Sequence, residues 1–477
     1  MAISLTSRVL NGTGWTLGAR QVQQAATLLV MAFLATVLSP EDFGLVGMVM
    51  VLAGLANVLA DTGFSAAVIQ DQRLGQRHYA TLFWVNLAVG SAVSVFFFFS
   101  ASLIAAFYQR EELVLISQVL ACSFFLSSLS TLPQAILRKN MSFKELSIAD
   151  TVVYLLTGSI VVAMAWGGAG IWSLVLQPII QQLLKALILW PLSGWRPSFI
   201  LSWSALKDVY RFSFSILGLQ YLQYLMANLD YLLIGRFLGA EALGIYTLAY
   251  KVMFVPIRNI CLEVVKVLFS AFSKIQAEKD QFRALYLDSM RMTALIVMPM
   301  LTGMFLVADP FVVTVFGPQW EMAVPVLKVL CLVGLVQSVV AHSGVVFRAL
   351  GFPGLELKIN IVRFFVTLGV LLWALQFGLL VFTWALFGLS TLFMLVQQSM
   401  VKRFLDYRHV DWLMALQPPF LLSLMMAILL MVLQGIWPMA SWGHLQRLLV
   451  LVAVGVGFYS IGVGVWWRVR RQAAVSS

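Results

Sequence analysis

Charge is scarce in this chain. Only 11% of its 477 residues are Asp, Glu, Lys or Arg, whereas 61% are hydrophobic and the mean hydropathy is +0.93. So little polar surface cannot cover a soluble globule, and no long polar segment is present from which an extramembrane domain could be built. Cysteine is almost absent: Cys122, Cys261 and Cys331 fall inside apolar runs without metal-ligand spacing, which argues against a disulfide framework and a zinc site. The histidines, His78, His342, His409 and His444, are scattered singly. His342 alone lies deep in an apolar run, where a satisfied or helix-bridging role competes with a proton relay. A G-x-x-x-x-G-K-[ST] phosphate loop is missing, as are H-E-x-x-H and a nucleophile elbow. An ATPase-driven pump is thereby excluded for this chain alone, and no catalytic residue, metal or cofactor is assigned. The N-terminal MAISLTSRVLNGTG has no apolar core followed by a small-residue cleavage site, so the first span is expected to be retained.

What the chain has in abundance is apolar runs of membrane-spanning length, about 20 residues each. Fourteen are expected, at roughly 12–38, 43–69, 79–107, 112–138, 146–167, 170–192, 210–237, 243–271, 283–307, 321–350, 355–376, 379–401, 411–435 and 444–468. The fold class is therefore an all-α integral membrane protein. The loops between these spans alternate sharply in Lys and Arg. One side holds Arg73, Arg77, Arg138, Lys139, Lys144, Arg196, Lys274, Lys279, Lys358, Lys402, Arg403 and the basic tail; the other holds Arg110, with Arg236 at a helix edge. By the positive-inside rule the first side is cytoplasmic, together with both termini. The formal charge of +11 is thus topological and does not point to nucleic acid.

A shift of 200 residues aligns Leu17 and Gly18 with Leu217 and Gly218, and Gln23 with Gln223. The same shift sets the turn LSPEDFG at 38–44 against LGAEALG at 238–244, matching Glu41 with Glu241 and Gly44 with Gly244. Six spans per repeat is an even number, so both halves enter the membrane in the same direction and are expected to be related by a pseudo-twofold axis along the membrane normal. The expected division is an N-terminal lobe at 1–192, a cytoplasmic interfacial linker at 193–209, a C-terminal lobe at 210–401, and an appended pair of spans with a basic tail at 402–477. Trp195, Arg196 and Trp203 are the anticipated interfacial anchors near the linker.

Ionisable residues inside spans are costly and mark function by default. Basic residues outnumber acids there, chiefly Asp61, Asp230 and Glu263, with Asp150 near an edge. A cavity lined by unpaired cations favours an anionic substrate. At about 100° per residue, Lys251, Arg258 and Lys266 fall within roughly an 80° arc of span 8, with Glu263 at its margin. Pro256 in the same span removes a backbone hydrogen bond and is expected to kink it, either to reshape a cavity or as an inert bend. On span 1, Arg20, Gln23 and Thr27 share a face. On span 2, Asn57 stands one turn before Asp61, which could pair with Arg20. Asp61, Asn57, Asp230 and Glu263 are therefore candidates for coupling or structural roles.

The segments LSPEDFGLVGMVMVLAGLANVLADTGFSAAVIQ, LPQAILRKNMSF, NLDYLLIGRFLGAEALGIYTLAYKVMFVP, VLFSAFSKIQ and VFGPQWEMAVPVLKVLCLVGLVQSV resemble the polysaccharide transport branch of the multidrug/oligosaccharidyl-lipid/polysaccharide (MOP) flippase superfamily, in particular its colanic acid exporter type. The resemblance covers nearly the whole chain and implies a two-lobed flippase of fourteen helices. It implies that undecaprenyl-diphosphate-linked oligosaccharide repeat units cross between leaflets by alternating access through a cationic cavity. That role carries over to Lys251, Arg258, Arg291 and Arg363, chosen by depth and charge, with Lys266 and Arg20 beside them as substrate-binding candidates. Membrane lipid, a polysaccharide polymerase and a chain-length regulator are the implied partners. A multidrug or lipid-II-type exporter is the alternative within the superfamily. A membrane glycan ligase or polymerase is an alternative outside it, although the longest outer loop, 308–321, holds neither the Arg nor the His that such an enzyme uses.

Overall fold

In a computed structural model, residues 5–60, 64–71, 73–436 and 442–476 are described, and they contain helices and no strand. Fourteen of the helices are long, none shorter than the 21 residues of α2. These are α1 (Leu5–Val37), α2 (Pro40–Ala60), α4 (Gln76–Phe99), α6 (Leu113–Lys139), α7 (Phe143–Trp166), α8 (Trp172–Ser193), α9 (Trp203–Ala227), α10 (Leu229–Pro256), α12 (Lys279–Val315), α13 (Ala323–Ala349), α14 (Pro353–Ala374), α15 (Leu379–Leu405), α16 (His409–Ile436) and α17 (His444–Ser476). Three short helices complete the set: α3 (Phe64–Gln70), α5 (Ala101–Tyr108) and α11 (Leu262–Lys274). Eleven of the long helices are apolar enough along their length to cross a membrane, the others being α1, α9 and α10. The chain is a multi-pass membrane protein.

Among the described residues three of the expected spans are interrupted: span 3 at Ser100, between α4 and α5, and spans 7 and 8, where the sequence contains the reason for each break. Span 7 breaks at Asn228, whose side-chain amide donates to the Tyr224 carbonyl at 2.8 Å and so competes with helical backbone bonding. Span 8 begins at the turn around Gly239, whose φ of +88° is a left-handed value that favours glycine. It is broken again just past Pro256, where Ile257–Cys261 form a π-helical turn before α11. The bend expected from Pro256 thus takes the form of a π turn, which shifts the register of every side chain after it.

The chain divides into two compact units, 1–244 and 245–477. In the first unit α6 is the central helix, packed on α4, α8 and α2, while α7 packs on both α8 and α1. In the second α13 is central, packed on α12 and α15, and 61% of its apolar window is buried, the highest share of any span. The two appended helices, α16 and α17, pack on α12. This spatial division falls later than the sequence repeat: α9 packs on α2, α3 and α4 and belongs to the first unit.

The repeat is nonetheless visible in the contact of its two turns. A side chain added at Gly44 would overlap the carbonyl of Ala240, and one added at Gly244 would overlap the carbonyl of Pro40. Each turn's glycine therefore lies against the position that aligns with the other's, which explains the matched Glu-x-x-Gly spacing by close backbone approach. Beside them Arg110 pairs with Glu41 at 3.1 Å.

The segment from Gly194 to Ser202 is laced onto the start of α4. Trp195 is buried and donates its indole N–H to Gln76 Oε1 at 2.7 Å, and Trp84 donates to the Ser198 carbonyl at 3.0 Å. Trp195 is a core contact in this structure, whereas Phe199, Ile200, Leu201 and Trp203 are exposed.

Candidate functional site

Lys251 lies near the end of α10 and Arg258 in the π turn, about 10 Å further along at 1.5 Å per residue. Both side chains are exposed, although Val252, Met253, Pro256, Ile257 and Cys261 around them are buried. The helix therefore buries its apolar residues and leaves both cations accessible. Neither takes part in an ion pair or a hydrogen bond among the described residues. On the same helix Tyr246, Tyr250 and Phe254 form a column at i, i+4 and i+8, with successive ring centroids 5.8 and 5.6 Å apart.

Arg291 is differently placed. On α12 it pairs with Asp288 at 2.6 Å, and its Nε–H donates to the Ala415 carbonyl of α16 at 3.3 Å. That carbonyl has no helical partner, because the residue four positions on is Pro419, which lacks an N–H. Arg291 thus caps an orphan acceptor and ties α16 to α12. Asp288 was not counted among the intramembrane acids in the sequence, nor was Glu356, which lies 3.6 Å from Arg348. Both could have been found from their helical i,i+3 or helix-end positions beside an arginine, and together they reduce the surplus of free cations.

Arg363 on α14 stands over the Phe393 ring of α15, 5.9 Å from its centroid. It lines a cavity of 170 Å³ at the junction of α13, α14 and α15, along with Gly344, Arg348, Glu356, Asn360 and Gln397. The structure therefore places Lys251 and Arg258 on one helix run, Arg363 in a polar cavity, and Arg291 in a helix contact. Arg20 is exposed on α1, whose neighbour Gln23 donates to Thr151 Oγ1 of α7 at 3.2 Å. Asn57 is exposed on α2, and Asp230 and Glu263 are half-buried in the first turns of α10 and α11. Asp61 lies outside the described residues, as does the side chain of Lys266.

His342 is buried and bridges helices. Its Nδ1 lies 3.2 Å from the Ser338 carbonyl and its Nε2 3.1 Å from Thr293 Oγ1 of α12. A carbonyl can only accept, so Nδ1 carries the proton and Nε2 receives the threonine's. One turn away, Gln398 of α15 is clasped by Tyr286 and Tyr407, which donate to its Oε1 at 3.0 and 2.9 Å, while its own N–H reaches Ser343 Oγ at 3.1 Å. These contacts are self-satisfied and join α12, α13 and α15. No group of three or more metal-ligating side chains occurs among the described residues.

Comparison with known proteins agrees with this arrangement. A family model described as a polysaccharide biosynthesis protein matches residues 33–325. The chain is 30% identical to the teichuronic acid biosynthesis protein TuaB of Bacillus subtilis (strain 168) over 436 residues, covering 89% of each chain. It is 27% identical to the lipopolysaccharide biosynthesis protein WzxC of Escherichia coli (strain K12), covering 88% of this chain and 87% of that one. Among solved structures, the lipid II flippase MurJ in an inward closed conformation superposes with a TM-score of 0.74 at 13% identity, over 94% of this chain and 98% of that one. An inward-facing multidrug resistance MATE transporter of the MOP superfamily gives 0.63 at 15% identity, over 80% and 95%. The fold is that of the MOP transporters.

Proposed function

The chain belongs to the polysaccharide biosynthesis protein family, and from that premise we propose that it is a flippase for undecaprenyl-diphosphate-linked oligosaccharide repeat units. It moves them across the bacterial inner membrane by alternating access, for the synthesis of an exopolysaccharide, capsule or O-antigen. The observation that carries this reading is the accessible pair Lys251 and Arg258, which no carboxylate neutralises among the described residues. A diphosphate brings about two negative charges, and Lys or Arg binds phosphate through charge-assisted hydrogen bonds that strengthen at low dielectric. The isoprenoid tail stays in lipid while the headgroup crosses, so no covalent step is needed. The half-buried rings of Tyr250 and Phe254 beside Lys251 offer apolar faces to the sugars, whereas Tyr246 is fully buried beneath them.

In this reading Arg20 and Lys266 are further substrate-binding cations, and Arg291 acts through the position of α16. The lobes at 1–192 and 210–401 are the moving bodies, joined by 193–209, with 402–477 appended and both termini cytoplasmic. A polymerase and a chain-length regulator act on the product. A cation-drug exporter is disfavoured because such a cavity should be acid-rich, and these accessible groups are basic.

The double substitution Lys251→Ala, Arg258→Ala is expected to leave the protein inserted in the membrane. It should reduce exposure of the lipid-linked unit to a membrane-impermeant probe in the periplasm to background. Exposure at the wild-type level would refute the cationic site.

A further inference from the structure

The cavity at the junction of α13, α14 and α15 has a chemistry of its own. Five of its lining side chains are polar or charged: Arg348, Glu356, Asn360, Arg363 and Gln397. Arg348 is matched by Glu356 at 3.6 Å. Arg363 stands over the face of Phe393, has Tyr250 as an electrostatic neighbour, and meets no carboxylate among the described residues. Gln397 is only 6% exposed and lines the cavity, and its amide takes part in no hydrogen bond among the described residues, which leaves its donors and acceptor open to a ligand or water there. Two arginines against one glutamate leave the cavity with one net positive charge.

We propose that this cavity is a phosphoryl-binding subsite, separate from Lys251 and Arg258. The guanidinium fork of Arg363 matches two phosphoryl oxygens, as a point charge would not. Amide N–H groups of Gln397 and Asn360 are the further donors the cavity offers. Glu356 would repel a fully ionised group but accepts a bond from a protonated phosphoryl or an adjoining hydroxyl, and it keeps the net charge low enough for release. At 170 Å³ the cavity is roomy enough to admit a phosphoryl group. Gly344 keeps the wall open, because a Cβ there would come within 2.8 Å of Glu356 Oε1. Tyr250, the electrostatic neighbour of Arg363, is the residue before Lys251, so the subsite adjoins the helix that carries the cationic pair. The inference rests on the flippase reading only for the source of one candidate phosphate, the lipid-linked substrate.

The test uses the full chain in nanodiscs of phosphatidylcholine. Thermal unfolding is followed with inorganic phosphate against sodium chloride of equal ionic strength, and in a second arm with phosphatidylglycerol in the disc and no phosphate. The midpoint is expected to rise in at least one arm. A rise with inorganic phosphate identifies a water-borne or substrate phosphoryl group; a rise with phosphatidylglycerol alone identifies a membrane headgroup. Arg363→Gln is expected to weaken the response about ten- to hundredfold in ligand concentration, and Arg363→Lys to retain part of it. Gln397→Leu, an apolar replacement expected to fold, should weaken it as well. In a Lys251→Ala, Arg258→Ala background, which removes whatever phosphate that pair binds, a response sensitive to Arg363→Gln should persist. No rise in either arm, or an equal rise in Arg363→Gln and Gln397→Leu, overturns the subsite. Wild-type protein that fails to translocate any lipid-linked unit would instead overturn the flippase reading and leave the phosphate response standing.

Discussion

Two three-helix corners occupy comparable places in the two compact units and are finished differently. In the first unit α6, α7 and α8 close on themselves: Lys185 donates to Gln134 Oε1 at 3.0 Å, and Asp150 lies within electrostatic reach of Lys185 and Arg138. In the second, α13, α14 and α15 bring a similar set of polar residues to their junction but leave 170 Å³ between them, with Arg363 and Gln397 facing the space. Each corner holds two cations and one acid, but Lys185 of the first is hydrogen-bonded to Gln134, whereas Arg363 and Gln397 of the second take part in no hydrogen bond among the described residues. A polar group inside a membrane protein that its neighbours do not satisfy is expensive to keep. The difference marks the second corner as the one shaped for something other than stability.

Substitutions can break that contrast. The largest effect is expected from Lys185→Met, which removes the bond to Gln134 and takes a cation from Asp150. Its thermal midpoint in detergent should fall by the equivalent of about 1–3 kcal/mol, with no change in phosphate response. An intermediate and opposite outcome is expected for Gln397→Leu. Replacing an unpartnered buried amide by an apolar side chain should be neutral or stabilising by up to about 1 kcal/mol, even as phosphate binding weakens. If it destabilised as much as Lys185→Met does, the two corners would be equivalent. The smallest effect belongs to Gly344→Ala. Its new Cβ meets the end of a flexible side chain rather than backbone, so Glu356 can give way and the net change should stay within about 1 kcal/mol of zero. A measurable loss of phosphate response in that variant would show that the wall position matters to the ligand.

Much of this was legible in the sequence where a pattern is local or repeated. Fourteen expected apolar runs match fourteen long helices in number, with the breaks of spans 7 and 8 moved, because hydrocarbon length and backbone satisfaction favour helices in a membrane segment. Asn228 interrupts a helix through its side-chain amide, and Gly239 through the left-handed backbone that its missing Cβ allows. Pro256 announced a break but not its form, since a π turn depends on how the following residues pack. Among the cationic candidates the sequence ranked Lys251, Arg258, Arg291 and Arg363 alike by depth and charge. The structure separates them: the first two are accessible, Arg291 is held by Asp288 and the carbonyl that Pro419 leaves free, and Arg363 opens onto a cavity.

The sequence by itself determined the solvent, the number of long helices, the family and the matched glycines of the two turns, because each of these follows from composition or spacing along the chain. Only the tertiary structure decided which charges are answered and which are left open. An ion pair such as Arg348 with Glu356, or an orphan carbonyl such as that of Ala415 beside Arg291, joins separate helices. The separation of helices in space is fixed by packing, which no single stretch of sequence contains.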